Sequence, residues 1–470
     1  MILDCRTCNK FFRRPPRTLL GSIEALSRLR LASSRDESCG LSGNSSQSIG
    51  SSGTADLDGV SLSEAEDYLD SAFIAQDDVK DFFFRIGVED DLSEWFGLPE
   101  VSIEDLCRVY ISDGLEIPDE IAALRGTPGS VHPALVVLPM GWSWSFHLAQ
   151  CVHEHLASVA LPKADRLVDR RPVPDLATGR SCLMLCADNG NHLALNQRVC
   201  EASRAKLTKV LNEHNLATHE TVHATSRATT LGVHFDGQID LVRATPERDA
   251  QLDQSLLAVI SGEPIGSEGM RRLVGHITCR LLLRRPLLST LHYVYKFINA
   301  DVPCIRAWQV VVDEMRMIRG LLVFCFSNLR SALSCRVTMT DACLSGYGVG
   351  ESDWSYSDAK AVSLYDERWR FKEVLDGETH RQKALREHDE QMLAFASADV
   401  FTDARTVRSH PVREPRQLQE DFSFPNVPSK LLQKEDWRGV WACPLRFAEP
   451  VHLCEARGVL SGVKHRSRDL

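Results

Sequence analysis

Between residues 181 and 195 the chain reads Ser-Cys-Leu-Met-Leu-Cys-Ala-Asp-Asn-Gly-Asn-His-Leu-Ala-Leu. Apolar residues fill 182–187, polar turn formers fill 188–191, and a second apolar run follows. An Asn-Gly pair between two short apolar runs predicts a tight β-hairpin, because both residues tolerate positive φ. Asp188 is then expected at the hairpin tip, its carboxylate held at the end of a buried strand. Upstream, 72–76 read as a short buried strand that runs into Asp77 and Asp78, with the aromatic cluster Phe82-Phe83-Phe84 beyond. Residues 136–150 read as a loop shaped by Pro139 and Gly141, leading into a helix over about 143–156. From 246 to 329 apolar residues recur every three or four positions, which predicts helices. One opens at 271–276 and continues through 280–286, and another covers 287–298. Alternation returns at 337–341, a strand ending at Asp341, with glycines turning it into a second strand. Near the end, the stretch 453–463 carries Glu455.

Outside these stretches the pattern weakens. Residues 1–57 read as a poorly ordered leader. Its basic cluster Lys10, Arg13, Arg14 and Arg17 surrounds Pro15 and Pro16, and a short helical segment falls near 22–31. Residues 33–54 are rich in Ser and Gly and read as a flexible linker. A helix is expected over 63–69, and 375–436 read as charged, Pro-punctuated loop and exposed helix. Cys5 and Cys8 form a Cys-x-x-Cys, but no second pair follows at zinc-site spacing.

Composition narrows the class. The chain has 470 residues, with 43% hydrophobic and 25% charged residues, which suits several domains with cores of their own. A formal charge of −10 excludes a chain that is basic throughout, so nucleic-acid contact has to come from a local patch. Fifteen cysteines without regular spacing suggest free thiols in a reducing, intracellular setting, cytoplasmic or nuclear. No apolar run reaches the ~18 residues of a membrane span, so no membrane partner is expected.

Three blocks, taken in order, resemble the palm motifs of retroelement reverse transcriptases. They are Asp78-Val79-Lys80-Asp81-Phe82-Phe83, Leu138-Pro139-Met140-Gly141-Trp142-Ser143 with Gln150, and Cys186-Ala187-Asp188-Asn189. Leu231-Gly232-Val233-His234-Phe235-Asp236 resembles the Leu-Gly strand that follows them. Thr340-Asp341-Ala342 and the glycines after it resemble the opening of a retroelement ribonuclease H domain, and the Glu455 helix a later element of that domain. The implied fold is α+β. It comprises a partial polymerase palm with an antiparallel sheet and helices (58–245), a helical thumb or connection region (246–330), and an incomplete ribonuclease H-like α/β domain (331–470).

The implied chemistry is template-directed nucleotidyl transfer on an RNA template and a DNA primer, using deoxynucleoside triphosphates. Two-metal transfer needs carboxylates from separate strands to meet, since Mg²⁺ prefers hard anionic oxygens. The resemblance assigns metal binding to Asp78 and Asp188, with Mg²⁺ the expected ion and Mn²⁺ its alternative. Asn189 takes the third catalytic position. Lys80, Pro139, Gly141, Ser143 and Gln150 are the implied nucleotide and template contacts, and Asp341 and Glu455 the implied ribonuclease H-like ligands.

The chain departs from the family pattern in four ways. Cys186 stands where an aromatic residue is usual, and Asn189 stands where a second Asp is usual. Fingers strands do not precede the first motif, and the ribonuclease H strand with a further Asp does not follow the Glu455 helix. Impaired catalysis is therefore expected. The alternative is a non-catalytic nucleic-acid-binding protein or a decayed remnant of a retroelement polyprotein.

Overall fold

A computed structural model describes residues 4–31, 71–126, 129–373, 418–444 and 450–468. The expected linker at 33–54, the expected helix at 63–69 and most of 375–436 lie outside these residues. The fold is mixed α+β, built on several largely antiparallel sheets.

The central sheet is formed by β1 (Phe73–Val79), β2 (Cys182–Cys186), β3 (Asn189–Ala194) and β4 (Thr218–Thr225), in the order β2-β3-β1-β4. The two-residue strand Asp165–Arg166 runs parallel to β2 at its outer edge. Successive side chains on a strand point to opposite faces, and both faces here are covered, so β2 is apolar almost throughout and β1 is apolar up to Gln76. One face carries Leu183 and Leu185 against α2 (Ser145–Ala160) and α3 (Gln197–Glu213). The other carries Ile74, Cys182, Met184 and Leu193. These pack on Val233, Phe235 and Val242 of a second antiparallel sheet.

That second sheet comprises β5 (Arg227–Thr230), β6 (Val233–Asp236), β7 (Leu241–Ala244) and β8 (Phe326–Asn328). Leu231 and Gly232, expected to begin a strand, instead form the β5–β6 turn, both with positive φ. Thr230 and Val233 are cross-strand partners, so a two-residue connection is all that remains, and such turns need that backbone.

Residues 4–31, expected to be poorly ordered, are packed into the molecule. Helix α1 (Ile23–Arg28) is capped by Ser22, and Leu26 and Leu29 are completely buried in the second core. Each such leucine stabilises the fold by roughly 1.5–3 kcal/mol. A basic, Pro-containing stretch reads as solvated tail, and only the short apolar spacing 23–31 hints at docking. Just before α1, the Gly21 N–H donates to the Leu185 carbonyl at 2.8 Å, extending the edge of β2.

The helical region contains α4 (Pro246–Ser261), α5 (Ser267–Leu281), α6 (Tyr293–Asn299) and α7 (Gln309–Leu321) around one core. The expected helix over 287–298 is shorter, because Arg284 leaves helical geometry and Pro286 follows within a 3₁₀ stretch. Helix α6 begins where the buried carboxylate of Glu314 on α7 accepts from the N–H groups of His292, Tyr293 and Val294.

The third region holds the sheet β9 (Arg336–Cys343), β10 (Gly346–Asp353) and β11 (Arg438–Pro444), with α8 (Val451–Arg466) laid across it. It docks through α1, where the Arg28 guanidinium lies 4.2 Å from the centre of the Trp369 ring. Buried Glu24 accepts from Arg285 at 2.8 Å and pairs with Arg368.

Leader docking depends on the absence of a side chain at residue 21. A Cβ on Gly21 would lie 2.9 Å from Leu185 N, against backbone that cannot give way. Gly21→Ala is therefore expected to destabilise the protein by about 1–3 kcal/mol, read as a lower denaturant midpoint with earlier proteolysis before residue 31. An unchanged midpoint would show that the leader does not bear on β2.

Candidate functional site

Asp77 and Asp78 are neighbours on β1 and point to opposite faces. Asp77 is buried under α3, where Arg204 Nη1 reaches its two oxygens at 3.2 and 3.0 Å. Thr208 and Thr221 donate to the same carboxylate at 2.5 and 2.6 Å. Asp78 turns to the other face and stays partly open, with a side chain 24% exposed.

The β-hairpin turn falls one pair earlier than expected. Cys186 pairs with Asn189, so Ala187 and Asp188 form the connection, and Asn189-Gly190 belongs to β3. Ala187, not Asn189, takes the left-handed conformation, at φ 51°. That backbone costs a non-glycine residue about 1 kcal/mol, and two buried side chains of α2 hold it. Gln150 Oε1 accepts from Ala187 N at 2.7 Å, and His153 Nδ1 donates to Ala187 O at 2.7 Å. Burial pushes the His153 imidazole down from its ordinary pKa, so it stays neutral with the proton on Nδ1.

This turn delivers Asp188 to Asp78. Asp78 pairs with Asn189 across β1–β3, and Val79 N donates to the Asp188 carbonyl at 2.9 Å. The pKa of Asp78 is raised, first by burial and then by the Asp188 charge, against the opposing pull of His219 and a hydrogen bond from Asn189. From β4, His219 sits opposite Asp78 in register, its Nε2 3.2 Å from Asp78 Oδ1. Cys186, Asn189, Asp78 and His219 thus form a row across four strands, with Asp188 at its margin. Beneath the row lies a polar layer in which Asn191 Nδ2 donates to Asn189 Oδ1 at 2.5 Å, and Thr230 Oγ1 donates to Asn191 Oδ1 at 2.6 Å.

The residues expected to contact nucleotide and template are largely engaged elsewhere. Gln150 is 2% exposed and clamps the hairpin, so it does not face solvent. Gly141, at φ 125°, and Ser143 bracket a loop closed by the leader. Asn9 Nδ2 donates to Gly141 O at 2.9 Å, and Ser143 N donates to Asn9 Oδ1 at 2.8 Å. The Pro139 carbonyl accepts from Ser145 Oγ at 2.7 Å, and the helix starts at Ser145. Lys80 keeps an exposed side chain two residues past Asp78.

In the third region, Thr338 and Thr340 carry α8, whose Gly458 and Gly462 pack on them. Strand alternation then puts Asp341 on the other face of β9. Both Asp341 and Glu455 are exposed, and the register does not turn them towards each other.

The sequence reading missed His219, Asn9, Asn191 and the Asp77–Arg204 pair. His219, Asn9 and Arg204 sit in no recognisable motif and act through contacts between residues distant in sequence, while the role of Asn191 depends on the register of the hairpin. Among the described residues, no group of three or more His, Cys, Asp and Glu side chains is arranged to hold a metal ion. No helix among them is long and apolar enough to cross a membrane. No family model and no curated protein matches the chain.

The electrostatics yield a stability prediction. Because folding raises the Asp78 pKa, the folded chain holds that proton more tightly than the unfolded chain. The resulting cost is absent below the ordinary value near 3.8 and complete above the raised folded value. Asp78→Asn should therefore raise the thermal midpoint at neutral pH in chelator, and the gain should vanish as the pH falls towards 3.8. A lowered midpoint at neutral pH would contradict the cost of burying the Asp78 charge beside that of Asp188.

Proposed function

We propose that the chain is a retroelement-like, RNA-directed DNA polymerase-type protein with an impaired palm centre at Asp78 and Asp188. The observation that supports the reading is that the β2–β3 turn is held to the end of β1, where Val79 N donates to the Asp188 carbonyl and where burial and then the Asp188 charge raise the Asp78 pKa. The two aspartates come from motifs 110 positions apart. Two hard carboxylate donors suit one Mg²⁺ or Mn²⁺, which commonly keeps waters and takes further oxygens from substrate phosphates. Bound there, such an ion supplies positive charge against a phosphoryl oxygen.

The chain's own residues supply the rest. Gln150 and His153 fix Asp188 by fixing Ala187, and Asn191 orients Asn189. Lys80 offers an exposed cation two residues from Asp78. Template, primer and deoxynucleoside triphosphates are the partners of this reading, and the third region contributes no hydrolytic centre to it.

A second reading, nucleic-acid binding without catalysis, has an observation of its own. The Asn189 oxygen is taken by Asn191, while Gly141 and Ser143 are taken by Asn9. The nucleotide side of the site is thereby filled from within.

Primer extension on an RNA template with Mg²⁺ and with Mn²⁺ separates the two. Under the first reading, extension is weak, falls at least about a hundredfold in Asp188→Asn, and rises on the order of tenfold in Asn189→Asp. Asn191 already donates to the oxygen at 189, so a carboxylate there is accommodated. Template binding without extension, in both the wild type and Asn189→Asp, decides for the second.

A further inference from the structure

We infer that the Asp78–Asp188 site admits a single divalent ion, because the His219 imidazole stands against Asp78 and the neutral Asn189 stands beside it, where a second ion requires anionic oxygen. The inference rests on the ion-site reading above. His219 Nε2 lies 3.2 Å from Asp78 Oδ1. A carboxylate oxygen offers only lone pairs, so the imidazole must present its Nε2–H there. On the opposite flank, Asn189 is the β3 partner of Asp78. Its amide is oriented from behind, since Asn191 donates to its oxygen and is itself held by Thr230. Asn189 therefore turns a neutral amide, and no anionic oxygen, towards Asp78.

An ionised carboxylate has about four lone-pair positions, and His219 stands against one of the two oxygens of Asp78. Two-ion centres hold their cations about 3.5–4 Å apart, which needs anionic oxygens between and around them. Asp78 and Asp188 balance one divalent ion and leave a second uncompensated. Where a third carboxylate would add charge, Asn189 adds a donor, and His219 adds another from β4. His219 is a positioning residue in this scheme, since it acts on the ion only through Asp78.

Mn²⁺ titration of the full chain tests this, with bound ions counted by loss of the free-ion paramagnetic signal and checked by calorimetry. One ion per chain is expected, and none in the Asp78→Asn, Asp188→Asn double variant. His219→Ala alone and Asn189→Asp alone each retain one ion. Combined, they free a lone pair and add a carboxylate, so two ions bind and show Mn–Mn spin coupling. His219→Gln keeps an N–H at similar reach, and with Asn189→Asp it returns the count to one. Two ions in the wild type overturn the inference. So does a single ion in the His219→Ala, Asn189→Asp protein when its unfolding midpoint matches wild type. Binding that survives loss of both aspartates, or no binding by the wild type, overturns the ion-site reading itself.

Discussion

The buried pair between Asp77 and Arg204 decides what the neighbouring carboxylate can be. Two adjacent acids on a strand must face opposite ways, and nothing in their chemistry says which faces inward. Arg204, Thr208 and Thr221 supply the donors that make burial of Asp77 tolerable. Removing one partner of such a pair typically costs about 3–5 kcal/mol, so a slip of β1 by one residue is strongly opposed. Exchanging the two acids would bury Asp78 under α3 and leave the site face with Asp77, out of register with Asn189 and His219. Arg204 thus sets the parity of β1, and that parity opens Asp78 to the site.

The second acid is placed by a different device. Asp188 follows Ala187, whose left-handed backbone is unfavourable alone and is held by Gln150 and His153 of α2. A longer chain of contacts steadies the start of α2. Asn9 closes the loop ahead of it, and Trp144 Nε1 donates to the Arg13 carbonyl at 2.6 Å. Residues 4–31 therefore bear on the geometry of a turn near residue 188. The neutral state of the buried histidines is part of the same device. His192, pushed down to about 3 by burial, keeps its Nδ1 2.9 Å from the Ser203 hydroxyl on α3.

Elements whose signal is local were legible in the sequence. The hairpin showed in the apolar runs around 182–195, β1 in the run before Asp77, and the helical region in its three- and four-residue spacing. Register and parity were not legible. The Asn-Gly pair is the better turn former by intrinsic preference, yet the turn sits at Ala187-Asp188, because clamping by α2 outweighs that preference. Leu231-Gly232 reads as the start of a strand, and only the β5–β6 pairing makes it a turn. The leader misled in a similar way. Its charge suggests solvation, and its docking rests on Leu26 and Leu29 in the second core and on Gly21, which bonds to the distant Leu185. His219 shows a further limit, since a single histidine on a strand carries no sequence signal until its cross-strand partner is known.

The same leader redistributes charge. The chain is acidic as a whole, but residues 4–31 carry seven basic and two acidic side chains. Lys10, Arg13, Arg14 and Arg17 are exposed on a segment tied down at Asn9, Thr18 and Gly21. Exposed Phe11 lies 5.5 Å from the Trp95 ring at one end of that segment. Arg17, at the other end, comes close enough to Arg170 and Arg368 for their charges to oppose one another. Such a field falls off within about 10 Å at ordinary salt, so a basic segment influences only what it is held against. Fixing it against the loop at 139–143 puts positive charge on one side of a site whose own groups are two carboxylates. The leader thus bears on the hairpin through the backbone, by way of Asn9, Trp144 and the start of α2, and adds positive charge beside the loop that it closes.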